Sequence, residues 1–455
     1  MMNRIYVIAT AVACELAFAM TGYSIADDGA ATTNMSTSVP AMALTLKACL
    51  HCALTNNPLM REAQSGVEAA GKGVQSAEGK HYPRLSLDGS MASRQDPIPY
   101  IPAQSSTIGP HFSDSYALFG PVLTIPIYQG GQISRNVELA KLRQRIQEDT
   151  LSLTRNDLIA NTVNTYQKIL QIRKLREAST TSVTALEEQR KNIQQLYDVK
   201  RAARVDLLKI EVQLANEKQR LLTLDESLTI LASTLRSLMG QAAEGTVASL
   251  DLAGSLSQET APSVSFEDGL NTAHKQRPEY LIALKGAEEA KLNMKNASGK
   301  LHPSINAFAA YTDQMGFDPS YDQADWSVGI SVSLPLFEKS LYSDMAKERV
   351  LHRKAVEHLE VLDHQIRLEI QIALSSLKDS KARIATVERV VEQADESFRI
   401  EQQKYKTGAG AMADMLLAQA ADVTAAANYA QALFDYNAAL VAYRRATGTM
   451  EEYLK

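Results

Sequence analysis

Tyr405-Lys-Thr-Gly408-Ala-Gly410-Ala-Met-Ala-Asp414-Met-Leu416 interrupts an otherwise unbroken helical pattern. Two closely spaced glycines weaken a helix, so the stretch reads as the tip of a long helical hairpin. A partial copy precedes it, Tyr197-Asp-Val-Lys200-Arg-Ala-Ala-Arg-Val-Asp206-Leu-Leu208. The tyrosines and aspartates of the two stretches keep one offset of 208 positions (405 − 197 and 414 − 206), and Gly240 and Gly448 keep it too. A hairpin that recurs in register marks an internal repeat, and a repeat outranks any single element in deciding architecture.

Working outward from the tips, residues 132–199 and 340–407 contain neither proline nor glycine. At 1.5 Å per residue each is a rod of roughly 100 Å. The return helices, about 205–239 and 413–447, are half as long. Helices over 58–80 and 278–300 supply the other half, each opened by a proline that suits a first helical turn. Each repeat therefore pairs one continuous rod with one composite rod. Leu221, Leu224, Leu228, Leu231, Leu235 and Leu238 follow coiled-coil spacing, and 208 positions later the same seam is tyrosine alternating with alanine.

At the far end from the tips, Gly79-Lys-x-x-Pro83 and Gly299-Lys-x-x-Pro303 stop a helix and start a strand. Alternating apolar and polar residues predict strands over about 84–92, 116–127, 304–311 and 326–336, with loops over 93–113 and 312–325. One face is apolar and the other small or polar, the pattern of strands between lipid and a wet lumen. Four strands cannot close a barrel, and an open edge is not tolerated inside a bilayer. Spanning a membrane would require several chains to share one barrel. Tyr100, Phe112, Tyr116, Phe119, Tyr311, Phe317, Tyr321 and Trp326 fall near the loop ends, where an interfacial aromatic girdle belongs.

The chain of 455 residues carries 47 Lys and Arg against 52 Asp and Glu, which leaves no basic footprint for nucleic acid. Beyond the N-terminus no apolar run is long enough for a spanning helix. Residues 1–26 have the features of an export signal, with Arg4 before an apolar stretch and small residues at Ser24-Ile-Ala26. The expected organisation is signal 1–26, flexible segment 27–44, first repeat 45–240 with its tip near 198–205, equatorial linker 241–265, second repeat 266–448 with its tip near 406–413, and tail 449–455.

The doubled layout, the Thr45-Leu46 to Asn57-Pro58 opening, the Gly-Lys-x-x-Pro junctions and the Tyr…Asp-x-Leu tips together resemble the TolC-like outer membrane efflux protein family. The resemblance spans about Leu44 to Gly448. It implies a mainly helical fold with a small β part: a long antiparallel coiled-coil barrel, with four strands per chain joining a trimeric twelve-stranded barrel. It implies a homotrimer in the outer membrane of a Gram-negative bacterium, with a large periplasmic portion. Such a channel is a passive exit duct for efflux or type I secretion, not an enzyme, and uses no cofactor. Its partners are a periplasmic adaptor and an inner-membrane RND or ABC pump. Asp414 and Asp206 match the family's tip carboxylates, and a ring of inward carboxylates favours cations. Gly408, Gly410, Lys200, Arg201 and Arg204 form the tip turns and adaptor contact, and the two arginines stand where they can pair with Asp206 or a neighbouring chain's Asp414. A solvated helix N-cap is the plainer role for either aspartate.

Cys49-Leu-His51-Cys52 is a CxxC motif that in an exported protein can be a disulfide or redox pair, half a metal site, or simple packing. No second CxxC completes a metal site, and His352, His358 and His364 are not at i,i+4 spacing. The competing architecture is a periplasmic coiled-coil adaptor or scaffold that never enters a membrane. Its weakness is the duplicated strand pair, which such adaptors lack.

Overall fold

Helix caps and two glycine joints set the frame. The computed structural model describes residues 44–99, 112–241, 252–260, 265–317 and 320–455, so the expected export signal and all but the end of the segment after it lie outside the described residues. Helix α1 (Leu46–Asn56) starts where the Thr45 side chain accepts from the Ala48 amide. Asn57 ends α1 and caps α2 (Pro58–Gly79), its Oδ1 accepting from the Leu59 amide at 2.9 Å. The chain then forms strands β1 (Arg84–Pro99) and β2 (Phe112–Gln129), the 67-residue helix α3 (Gln132–Asp198) and the 35-residue return helix α4 (Arg204–Leu238). The second half follows the same order. It comprises α5 (Phe266–Gln276), α6 (Pro278–Gly299), β3 (Ser304–Phe317), β4 (Ser320–Ser333), the 68-residue α7 (Lys339–Lys406), the 36-residue α8 (Met412–Thr447) and a closing 3-10 turn, Met450–Leu454.

Helices α2 and α4 both pack on α3, and α6 and α8 both pack on α7. The break between α2 and α4 is closed by Asn57, whose Nδ2 donates to the Leu238 carbonyl at 2.8 Å. Gly240 makes the joint possible. Its φ is +75°, and a Cβ there would run into the backbone of Asn56 and Asn57. Gly448, with φ +78°, does the same against Gln276 and Arg277, and Arg277 donates to the Ala446 carbonyl. The main core lies at this level: Tyr166, Ile169 and Leu170 of α3 meet Ile366 and Ile370 of α7 and the Ala432, Tyr436, Ala439 and Tyr443 seam of α8.

The four strands form one antiparallel sheet in the order β1-β2-β3-β4. Register places Leu85 and Leu87 opposite Leu123 and Pro121, then Leu123 opposite Ala309 and Ala309 opposite Val328, so one face is apolar across all four strands. Leu87, Trp326, Val328 and Ile330 on that face are each 66–73 % exposed. The opposite face carries Ser86, Asp88, Ser90, Thr124, Asn306, Ser327 and Ser331.

The strands are longer than their apolar pattern. The expected loop at 312–325 is strand almost throughout, with pairing continuing to Phe317 and Ser320. That at 93–113 shrinks as well, since β1 reaches Pro99 and β2 begins at Phe112. Polar residues such as Asp313, Gln314 and Asp325 hide strand from a hydropathy reading, although ladder hydrogen bonds need no apolar side chain. Two corrections follow. Tyr311 pairs with Trp326 in mid-strand, and Phe119 is also mid-strand, so these aromatics do not sit at loop ends. Strand β4 ends at Ser333 rather than near 336, ahead of Pro335, which has no N–H for a ladder. Tyr100 lies outside the described residues.

Candidate functional site

The two hairpin turns close with the same hydrogen bonds. In the first, the amides of Arg201 and Ala202 donate to the Leu196 carbonyl at 2.7 and 3.2 Å. In the second, Ala409 and Gly410 donate to the Lys404 carbonyl at 2.9 and 3.1 Å. Both require one residue in the left-handed region, as helix C-termini commonly do. Gly408 takes it with φ +77° and Lys200 with φ +59°, which makes Lys200 the one non-glycine residue at positive φ among those described. Gly410 is there for space: a Cβ would press on Lys404 and the Tyr405 backbone.

The tips are packed together. Leu186, Ile193, Ile210 and Leu214 of the first hairpin bury against Met412 and Met415 of the second, with Phe398, Tyr405 and Leu416 alongside. Asp206 and Asp414 each occupy the first turn of a return helix, where a carboxylate suits the helix dipole. Neither is the N-cap, because Ala203 and Ala411 hold that position without a side-chain hydrogen bond. Asp414 is exposed and Asp206 half-buried. Tyr405 has its phenol pKa raised by burial and, secondarily, by the charge of the Asp206 carboxylate.

Arg201 and Arg204 do not pair with Asp206. The side chains of Lys200, Arg201, Arg204 and Lys209 have no hydrogen-bond or ion-pair partner among the described residues. Beside them, α4 and α8 enclose an open groove of about 440 Å³ lined by Val205, Leu208, Lys209, Val212, Leu416 and Leu417. Sequence reasoning missed this groove. Its signal is a second apolar stripe, Val205, Leu208 and Val212 at i, i+3 and i+7, on the side of α4 away from Ile210 and Leu214.

At the opposite end, the junction glycines differ. Pro83 and Pro303 each stand one residue before a strand. A Cβ on Gly299 would strike the Arg135 guanidinium, which also binds the Gly130 carbonyl and Asn296, whereas a Cβ on Gly79 meets open space. Cys49 and Cys52 are both free thiols at i and i+3 of one helix. Cys49 is fully buried, and burial above all pushes its pKa up to about 11, while Cys52 is half-buried, an arrangement that suits the packing role. A further polar contact was not foreseen: His274 of α5 shares Asp363 of α7 with Arg367, at 2.6 and 2.7 Å, and stacks on Tyr280. Among the described residues no group of three or more His, Cys, Asp or Glu is placed to hold a metal ion.

The overall fold is shared with known proteins. The family model described as outer membrane efflux protein matches residues 49–241 and 269–449. The chain belongs to that family. It is 21 % identical over 405 residues to the outer membrane protein TolC of Vibrio cholerae, covering 87 % of this chain and 89 % of that one. The nodulation protein T of Rhizobium leguminosarum is 20 % identical over 397 residues, with 84 % and 81 % covered. Among solved structures, the Campylobacter jejuni CmeC outer membrane channel aligns with a TM-score of 0.77 at 17 % identity, covering 89 % of this chain and 85 % of that one. The Vibrio cholerae outer membrane protein VceC aligns with a TM-score of 0.73 at 18 % identity, covering 89 % and 96 %. As an outer membrane efflux protein, the chain has the general role of an efflux duct. No described helix is long and apolar enough to cross a membrane.

Proposed function

We propose that three copies of this chain form a homotrimeric outer-membrane exit duct, built in each copy from two structural repeats. Each copy gives four strands to a closed twelve-stranded barrel, and the rods form a periplasmic tunnel. An inner-membrane RND or ABC pump, acting through a periplasmic adaptor, supplies energy and substrate choice for efflux or type I secretion. One observation carries this reading. Among the described residues, nothing covers the apolar face of the sheet and no further strand pairs with the edges β1 and β4. Neither edge is tolerable in a bilayer unless other copies close the ring.

The tip is the gate in this proposal. Asp414, exposed and without a partner among the described residues, supplies one carboxylate per chain to a cation-attracting ring. Asp206 is the weaker contributor because it is half-buried. In planar bilayers, Asp414→Ala is expected to weaken current block by multivalent cations roughly tenfold, the loss of about 1.4 kcal/mol of site affinity. Unchanged block would remove Asp414 from the lumen. A protein recovered only from the soluble periplasm, without a heat-modifiable outer-membrane form, would overturn the duct itself.

A further inference from the structure

Along the first hairpin, basic residues facing the partner helix are matched by carboxylates. Arg176 pairs with Asp225, Lys218 with Glu187 at 2.6 Å, and Arg190 with Glu211 at 3.2 Å. The ladder stops at the tip. Between Val199 and Lys209 there are four cations and one carboxylate, Asp206. The four cationic side chains are exposed and have no partner among the described residues. The second tip differs, because Lys404 pairs with Glu401 and Lys406 with Gln402. A chain of net charge −5 thus concentrates unmatched positive charge on one turn.

The same turn borders the apolar groove. Lys209 lines it, and Arg204 directly precedes Val205 at its wall. Val205, Leu208 and Val212 are 50–61 % exposed and Leu417 is 69 % exposed. An apolar trough with a cationic rim suits an amphipathic helix whose apolar ridge is flanked by carboxylates. The apolar residues supply contact area, while the rim charges set partner choice and association rate.

We infer that this groove and its rim select a separate periplasmic protein by an acidic-flanked helical ridge, with Arg201, Arg204 and Lys209 as the specificity-determining residues. This rests on the exit-duct reading and adds to it the partner's chemistry. The second hairpin, with its cations already paired, contributes the apolar wall but not the charge selection.

The test uses the full-length protein in detergent and two synthetic two-helix hairpins sharing one leucine ridge, flanked by glutamates in one and lysines in the other. The glutamate hairpin should bind in a salt-sensitive manner, and the lysine hairpin should bind roughly tenfold or more weakly. Charge reversal by Arg201→Glu, Arg204→Glu and Lys209→Glu should exchange the two affinities. Neutralisation to Gln at the same positions, which disturbs the fold less, should abolish the preference. Val212→Asp should weaken both hairpins. Equal binding of the two hairpins, binding of neither, or an unaltered preference after reversal would overturn the inference. Channel conductance of the unaltered protein in planar bilayers is read on the same preparation. Its presence beside a failed binding test would sink the inference alone, and its absence would sink the duct.

Discussion

Lys200 and Gly408 occupy the same place in the two hairpin turns and meet the same demand for positive φ with different side chains. A Cβ in the left-handed region costs roughly 1–2 kcal/mol. Lys200→Gly removes that cost but returns part of it as freedom of the unfolded chain, which leaves a small stabilisation. Gly408→Ala has open space around it, so it adds the backbone cost less the freedom it removes from the unfolded chain, a net loss of about 1 kcal/mol. Amide exchange at Ala409 and Gly410 should therefore speed up roughly fivefold in Gly408→Ala, the factor that about 1 kcal/mol gives. Exchange at Arg201 and Ala202 should change little in Lys200→Gly. Equal responses at the two tips would contradict the asymmetry. The existence of both turns was legible in the glycines of the second and in its twin. The left-handed lysine was not, because nothing in a Val-Lys-Arg sequence marks positive φ. Likewise Gly79 and Gly299 look equivalent along the chain, and only the Arg135 guanidinium distinguishes them. Cys49 and Cys52 also look equivalent in the CxxC motif, and only the fold separates a fully buried Cys49 from a half-buried Cys52.

Element lengths were readable where side-chain pattern and backbone agree. The long rods lack proline and glycine, and their ends fall within a residue of the expected positions. Strand ends were not readable, because the outer halves of β3 and β4 are held by register against each other rather than by an apolar stripe. The shorter signal, at about 84–92 and 326–336, nevertheless identified the apolar face, and that face bears a direct test. Ile330 lies on it, 66 % exposed, and its neighbour Ser331 lies on the polar face opposite Asn306. If the apolar face meets lipid, Ile330→Arg puts a charge into hydrocarbon at a cost of roughly 2–4 kcal/mol near the midplane. Ser331→Arg puts the same charge on the wet side. Ile330→Arg should reduce the heat-modifiable form in outer-membrane fractions, and Ser331→Arg should leave it near the unaltered level. Equal sensitivity of the two positions would mean the sheet does not separate lipid from water.

The whole chain is tied together at mid-length, where segments from both ends and the linker meet α3. Leu44 bridges Leu252, and the Tyr166 hydroxyl meets the carbonyls of Leu44 and Ala253. Lys47 donates to the Lys455 carbonyl at 2.5 Å, and the last turn buries Met450 and Tyr453 against Leu50 and Ile159. Sequence reading placed a linker here but not its anchor, since the linker's partners are far away in the chain. That anchor is Glu259, which accepts from Gln167 at 2.9 Å and faces Arg444, itself stacked over the Tyr453 ring. Burial raises the Glu259 pKa, and Arg444, Tyr453 and Gln167 offset this only in part. A carboxyl whose folded pKa lies above its unfolded value binds its proton more tightly when folded. Between those two values stability therefore falls as pH rises, so lowering the pH from neutral should stabilise the waist until the unfolded value near 4.5 is passed. Glu259→Gln keeps the acceptor for Gln167 and removes the titration, so its thermal midpoint should lose this component of the pH slope. Other carboxylates pull the opposite way, Asp363 among them, because its pKa is lowered by its hydrogen bond to Arg367 and then by His274. The comparison is thus the difference between the two proteins' midpoints across the acidic range, not either curve alone. A constant difference across that range would show that Glu259 does not titrate differently in the folded and unfolded chains, and the waist would then be held by packing alone.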